Sequence, residues 1–213
     1  MEHWNLPDTC AADEVLMRNP GDNTGYLRLI KFHHVDQRQI RSSAQTWDVG
    51  GHFDCNLRIA DMDETFHAFQ RAGWVGYSDP QEFHFGPFHV EEVLMRGPDG
   101  QVLAMIQRHA PPLEGYPNLK AVSHIFNSTQ IVKDIDRSLS FYRDDLGFQI
   151  YLEHRGASEK AGPNVLGLPH NLTDKHERFV YILHPQKINY GSIEIIEFDG
   201  IKGEDFSSIS HPP

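Results

Sequence analysis

The segment IVKDIDRSLSFYRDDLGF, residues 131–148, decides the fold because it reads as the end of a strand, a helix cap, a helix and a turn. Asp134 suits a helix N-cap, since its carboxylate can accept the free amides of a first helical turn. Apolar side chains then recur at the i, i+4, i+7 and i+11 positions of one helix face, at Ile135, Leu139, Tyr142 and Leu146. Gly147 follows, where a left-handed residue typically ends a helix.

The same signature occurs earlier in the chain, as IADMDETFHAFQRAG at residues 59–73. A second repeat is EVLMR, at residues 14–18 and again at residues 92–96. The two repeats have nearly the same period, close to 75 residues, and such a period indicates repeated structural units. Short strands are predicted after each helix. The unit is therefore predicted to be β-α-β-β-β.

The repeats predict an α+β protein built from about two and a half such units. The first unit lacks its opening strand and helix. This predicts either a fragment of a four-unit protein or a homodimer that completes the half-unit by exchange between chains. The predicted organisation is a C-terminal half-unit at 1–32, a linker at 33–50, a second unit at 51–108 that pairs with 1–32, a proline-rich joint at 109–120, a third unit at 121–199 and a tail at 200–213.

The composition excludes several classes of partner. The chain of 213 residues has 19 basic and 30 acidic side chains and a net charge of -11, which argues against nucleic acid or an anionic membrane surface. It contains no apolar run of the roughly 18 residues that cross a bilayer, and no secretory signal is visible. Cys10 and Cys55 form no disulfide framework, so we expect two reduced thiols in a cytoplasmic protein.

Residues 131–148, together with RGPDGQVLAMIQ at residues 96–107, resemble the vicinal oxygen chelate superfamily. That group includes glyoxalase I, extradiol dioxygenases and bleomycin-resistance proteins. The resemblance implies that two units pair into a cupped mixed sheet around a divalent metal, which could be Fe, Mn, Zn or Ni. Family ligands come from the start of each first strand and from a glutamate on each last strand.

The resemblance places five residues of this chain at ligand positions: Asp54 and Asn127 on first strands, and Arg28, Ala104 and Glu194 on last strands. Glu194 alone is the expected ligand type and is the candidate metal ligand. Arg28 has no acceptor atom, and Ala104 has no donor atom. No metal is therefore expected in the first cup, formed by 1–32 and 51–108. A buried Arg28–Asp54 ion pair is predicted to replace it.

Further pocket candidates come from the segment FHFGPFHV, residues 83–90. Its phenylalanines could form apolar walls, and His84 or His89 could face a cup. Asn127 is expected to line the second cup beside Glu194. On this prediction the second cup is incomplete, since its partner unit would begin near residue 200.

Three functions remain open at this point. The first is a metal-dependent lyase or dioxygenase acting on a small substrate that is aromatic or carries vicinal oxygens. The second is a metal-independent binding protein of the bleomycin-resistance type, in which Arg28 and Asp54 orient the ligand. The third is a structural half that only supports a second domain. Metal analysis separates the first from the others, and ligand-induced stabilisation separates the second from the third.

Overall fold

The computed structural model describes residues 6–36, 41 and 43–207. These residues form a mixed α+β fold of mostly strands, as predicted. The strands are β1 (Ala11–Met17), β2 (Leu27–His33), β3 (His52–Ile59), β4 (Val75–Gly76), β5 (Gln81–Phe85), β6 (Phe88–Arg96), β7 (Val102–Ala110), β8 (Val122–Ile131), β9 (Gln149–Gly156), β10 (Arg178–His184) and β11 (Ser192–Phe198), and the α-helices are α1 (Met62–Arg71) and α2 (Ile135–Ser140).

Both helices begin at the predicted aspartates. The Asp61 carboxylate accepts the Glu64 amide at 2.8 Å, and the Asp134 carboxylate accepts the Arg137 amide at 2.9 Å. Each cap satisfies an amide that the first helical turn leaves without a partner. The helix over residues 135–146 differs from the prediction, because α2 continues as a π-helical turn over Phe141–Asp145. The wider turn rotates Leu146 away from the apolar face, and its side chain is 50% exposed.

The main sheet joins the second and third units. Its strand order is β4-β6-β7-β3-β8-β11-β10-β9, with β5 paired to β6. In each unit the first strand runs parallel to the last, β3 beside β7 and β8 beside β11. The two first strands, β3 and β8, pair antiparallel in the middle. The structure thus has two equivalent units that meet along their first strands.

The predicted pairing of residues 51–108 with residues 1–32 is not observed. Strands β1 and β2 form a separate two-stranded antiparallel sheet. The physical reason is that β3 is hydrogen-bonded along both edges, to β7 and to β8, so it offers no free edge to β2. Exchange of strands with a second copy of the chain stays a prediction.

The main sheet curls until its two ends touch. Phe85 is on β5, which pairs with β6 near one end of the sheet, and β9 is the strand at the other end. The centre of the Phe85 ring lies 5.9 Å from the centre of the His154 ring on β9. Helix α1 covers the convex face, where Met62 and Phe66 pack on Val93. The concave face is called the cup below. One end of the cup is filled by an apolar cluster: Phe53, Leu94, Val102, Ala104, Ile131, Leu168, Val180, Ile196 and Phe198.

The loop between β1 and β2 contacts the first residues of β8. Asp22 in this loop accepts hydrogen bonds from Asn118 at 2.7 Å and pairs with Nδ1 of His124 at 2.8 Å. Gly25 has a φ of 63° and lies so close to β8 that an added Cβ would collide with the Ile125 carbonyl oxygen. The loop is therefore fixed to the main sheet by polar contacts and by a close backbone approach.

Cys10 and Cys55 are both free thiols. Cys10 is buried and Cys55 is partly buried. Among the helices of the described residues, none is long and apolar enough to cross a membrane.

Candidate functional site in the cup

A row of three polar side chains crosses the middle of the cup. Asp54 on β3 is paired in register with Thr129 on β8, and Thr129 is paired with Glu194 on β11. Residues that are directly paired place their side chains on the same face of a sheet. The two carboxyl groups therefore flank one hydroxyl, from strands that lie about 10 Å apart.

A second row consists of two asparagines. Asn56 is paired with Asn127 across the β3–β8 junction. The Asn56 amide donates to Asp54 at 2.9 Å and to the Thr129 hydroxyl at 3.0 Å, so it fixes the orientation of both. The buried side-chain oxygen of Asn127 accepts no hydrogen bond. It is available to a donor on a bound molecule.

A third row places Glu92 and Arg58 on either side of Ile106, which is paired with both of them. Arg58 is only 5% exposed, and its guanidinium lies 4.3 Å from the centre of the Phe126 ring. Arg108 follows two residues after Ile106, so it lies on the same face. The cup thus contains both acidic and basic side chains.

The pKa values of the acidic side chains in the cup are raised above the ordinary carboxyl range. Burial raises the pKa of Asp54 to about 7, against the lowering effect of hydrogen bonds from Thr129 and Asn56. Burial, then the nearby Asp54 charge, raises the pKa of Glu92 to about 8. The pKa of Glu194 is raised well above its usual value by burial and by repulsion from Asp54 and Glu92. Asp54 and Glu92 can therefore exchange protons near neutral pH.

Three residues singled out from the sequence lie together in the cup. The sequence predicts two different cups for Asp54, Asn127 and Glu194, but the β3–β8 junction brings them into one. No fourth unit is needed to place them together. Their predicted division between two cups is therefore wrong.

Arg28 is not in the cup. It lies on β2, its side chain is 57% exposed, and it forms a 2.6 Å ion pair with Glu14 on β1. The predicted Arg28–Asp54 ion pair is therefore wrong. Asp54 has Asn56 and Thr129 as partners instead.

His84 and His89 also lie outside the cup. They are paired across β5 and β6, and their rings stack with centroids 4.7 Å apart. Nε2 of His89 contacts Glu82 at 2.6 Å. His89 is three residues before Glu92 on β6, so the two side chains lie on opposite faces of the strand. Since Glu92 faces the cup, His89 faces the convex side.

Glu92, Thr129 and Arg58 were not identified as site residues from the sequence. The alternation of β6 indicates that only one of Glu91 and Glu92 faces the cup, but it does not show which. On β3 both faces are covered by protein, so apolar and polar residues do not alternate in a way that marks the inner face. The pairing of residues between neighbouring strands shows that these residues face the cup.

The residues of the cup do not fit the metal centre that the resemblance implies. At the family's ligand positions stand Asp54, Ala104, Asn127 and Glu194. Ala104 has no donor atom, and one Asp54 oxygen already accepts the Asn56 amide. Within residues 6–36, 41 and 43–207, no three His, Cys, Asp or Glu side chains are arranged to hold a metal ion.

Residues 121–184 match the family model for the Glyoxalase/Bleomycin resistance protein/Dioxygenase superfamily. This match confirms the resemblance on the segment that contains β8, α2 and the strands that follow. No protein with a curated description matches the chain.

Several solved structures are similar to this chain at low sequence identity. Glyoxalase I from Zea mays is 16% identical, with a TM-score of 0.51, and the match covers 83% of this chain and 50% of that one. A mutant of 4-hydroxymandelate synthase from Streptomyces coelicolor is 12% identical over 87% of this chain and 58% of that one, with a TM-score of 0.48. Methylmalonyl-CoA epimerase from Mycobacterium tuberculosis is 16% identical over 74% and 93%, with a TM-score of 0.44. The chain spans about half the length of the maize enzyme, and the fold is glyoxalase-like.

Proposed function

We propose that the cup is the active site of a glyoxalase-like enzyme that moves a proton on a small substrate, as an isomerase or lyase does. The observation that carries this proposal is the Asp54–Thr129–Glu194 row. It holds two carboxyl groups with raised pKa values on opposite sides of one hydroxyl. A general acid or base works best when its pKa lies near the working pH.

The two acids are suited to complementary roles. Asp54 is held by Asn56 and Thr129, and its pKa of about 7 leaves a substantial fraction ionised at neutral pH. This fraction can remove a proton from a carbon next to a carbonyl group. Burial, followed by the nearby Asp54 charge, raises the pKa of Glu194 and favours its protonated form, which can return a proton on the other side.

The remaining side chains of the two rows can orient the substrate. The unpaired oxygen of Asn127 can accept a hydrogen bond from a substrate hydroxyl. A substrate with adjacent oxygens, one carbonyl and one hydroxyl, would use both this acceptor and the acids. This supports the class of small vicinal-oxygen substrates that the resemblance implies.

The test is proton exchange in D₂O, followed by ¹H NMR, with a panel of small α-hydroxy ketones and 2-oxo acids. The wild-type protein should exchange the C–H proton next to the carbonyl of at least one compound. Asp54→Asn and Glu194→Gln should each slow exchange by about 100-fold or more, as expected for loss of a proton-transfer group. Glu153→Gln is the matched control, because Glu153 is exposed and lies on β9 outside the row.

Equal exchange rates in the wild-type protein and both row variants would contradict the proposed chemistry. Ligand-induced thermal stabilisation with no exchange for any compound would favour a sequestering protein of the bleomycin-resistance type.

A further inference from the structure

We infer that Arg58 and Arg108 form an oxyanion site in the cup, which binds a carboxylate or phosphate group of the substrate. This inference rests on the proposed function for its meaning, and it names the class of substrate: an organic acid. Three observations support it: the placement of the two arginines, the aromatic rings that they contact, and the buried Nε donor of each arginine, which has no acceptor.

The two arginines are neighbours on one face. Arg58 on β3 is paired with Ile106 on the parallel strand β7, and Arg108 lies two residues further along β7. Residues two apart on a strand share a face, and diagonal neighbours on adjacent strands are within reach of long side chains. Burial, followed by the nearby Arg58 charge, lowers the pKa of Arg108, and this effect agrees with the placement.

Each guanidinium is held against an aromatic ring. Arg58 lies 4.3 Å from the centre of the Phe126 ring, and Arg108 lies 3.9 Å from the centre of the Phe88 ring. Stacking on a ring fixes the plane of the guanidinium and leaves its edge, where the N–H donors are, free to bind a ligand.

Arg58 hydrogen-bonds the Tyr116 side chain, but the protein leaves the Nε donor of each guanidinium without a partner. The Nε atoms of Arg58 and Arg108 are both buried and have no hydrogen-bond acceptor. In the described part of the chain, no carboxylate lies within ion-pair distance of either guanidinium. Buried donors and buried charges are normally paired, so an anion from outside the chain is the expected partner.

Arg155 shows that an arginine stacked on an aromatic ring does not necessarily have buried, unpaired donors. It stacks on Phe179 at 4.2 Å, but it is 68% exposed and its Nε contacts Glu177 at 3.5 Å. Unpaired, buried donors therefore distinguish the arginines of the cup from a stacked arginine elsewhere in the same fold.

The position of the pair restricts the size of the substrate. Arg58 lies four residues from Asp54 on β3, which corresponds to about 13 Å along a strand. The arginine side chains span part of this distance. A molecule that binds the pair and also reaches the Asp54–Thr129–Glu194 row is therefore an elongated organic acid. Its anionic group lies several bonds from the carbon that exchanges its proton.

The test is binding of three probes at constant ionic strength, by isothermal titration calorimetry. Benzoate and phenyl phosphate carry the two candidate anions, and benzamide is a neutral analogue of benzoate. At least one anion should bind, and benzamide should not. Arg108→Met should weaken binding by about tenfold or more, which is about 1.4 kcal/mol. Arg155→Met, the stacked control outside the cup, should bind as the wild type does.

Equal binding of benzoate and benzamide, or unchanged anion binding in Arg108→Met, would overturn the inference. If Arg108→Met does not fold, Arg108→Gln with the same probes gives the same decision. Glu194→Gln separates the two proposals, because it should lose proton exchange and keep anion binding. Absence of anion binding in a wild-type protein that still exchanges protons would contradict the oxyanion site alone.

Discussion

Replacing Asp54 by asparagine should stabilise the protein at high pH. Asp54 is 3% exposed, and its pKa is raised to about 7 from an ordinary value of 3.8. The folded protein therefore disfavours the ionised form. The stability associated with the neutral carboxyl is fully present below the unfolded pKa and is lost as the pH rises through the folded pKa. Asparagine keeps the shape and can still accept the Asn56 amide, but it does not ionise.

The magnitude follows from the two pKa values. One unit of pKa difference corresponds to about 1.4 kcal/mol, so ionisation of Asp54 costs about 1 kcal/mol at pH 4.5 and about 4 kcal/mol at pH 8. The advantage of Asp54→Asn over the wild type should therefore grow by about 3 kcal/mol across this range. Urea denaturation at both pH values measures the free energy of unfolding, and the exposed Asp174→Asn is the control. An advantage that does not change with pH would refute the burial of an ionisable Asp54.

Three further predictions follow from the fold. Val93→Ala should cost about 2 kcal/mol of unfolding free energy, and Val15→Ala, at the matching position of the EVLMR repeat, less than about 0.5 kcal/mol. The two valines are 0% and 56% exposed, so equal costs in urea denaturation would mean that the β1–β2 sheet is covered in solution. Asp134→Ala should cost about 1 kcal/mol through loss of the α2 cap, and an unchanged denaturation midpoint would argue against that cap. Dialysis against EDTA should leave proton exchange intact, since the cup lacks the family's donor set, and loss of exchange that Zn or Mn restores would contradict this.

The repeated units could be predicted because their signals are local. Asp61 and Asp134 cap their helices, and Gly73 and Gly147 end them with positive φ values, as the sequence pattern indicated. The pairing of units is set by long-range contacts between strand edges. No local pattern distinguishes a β3 that pairs with β8 from a β3 that pairs with β2, so the prediction for 1–32 failed.

The sequence locates the residues of the candidate site that stand at family positions, and it does not locate those that depend on strand register. Asp54, Asn127 and Glu194 were found because the start of a first strand and the middle of a last strand can be located in the sequence. Glu92 and Arg58 were missed because their strands are covered on both faces, and burial on both sides removes the alternation that marks an inner face.

The most direct test of the shared cup is the titration of Glu194, observed by NMR of ¹³C-labelled carboxyl groups in the wild-type protein and in Asp54→Asn. The two residues belong to different units and interact only if those units form one cup. Burial and then the Asp54 charge raise the pKa of Glu194, so we expect a raised pKa in the wild type and a lower one in the variant. An ordinary Glu194 pKa in the wild type, or one that Asp54→Asn leaves unchanged, would contradict it.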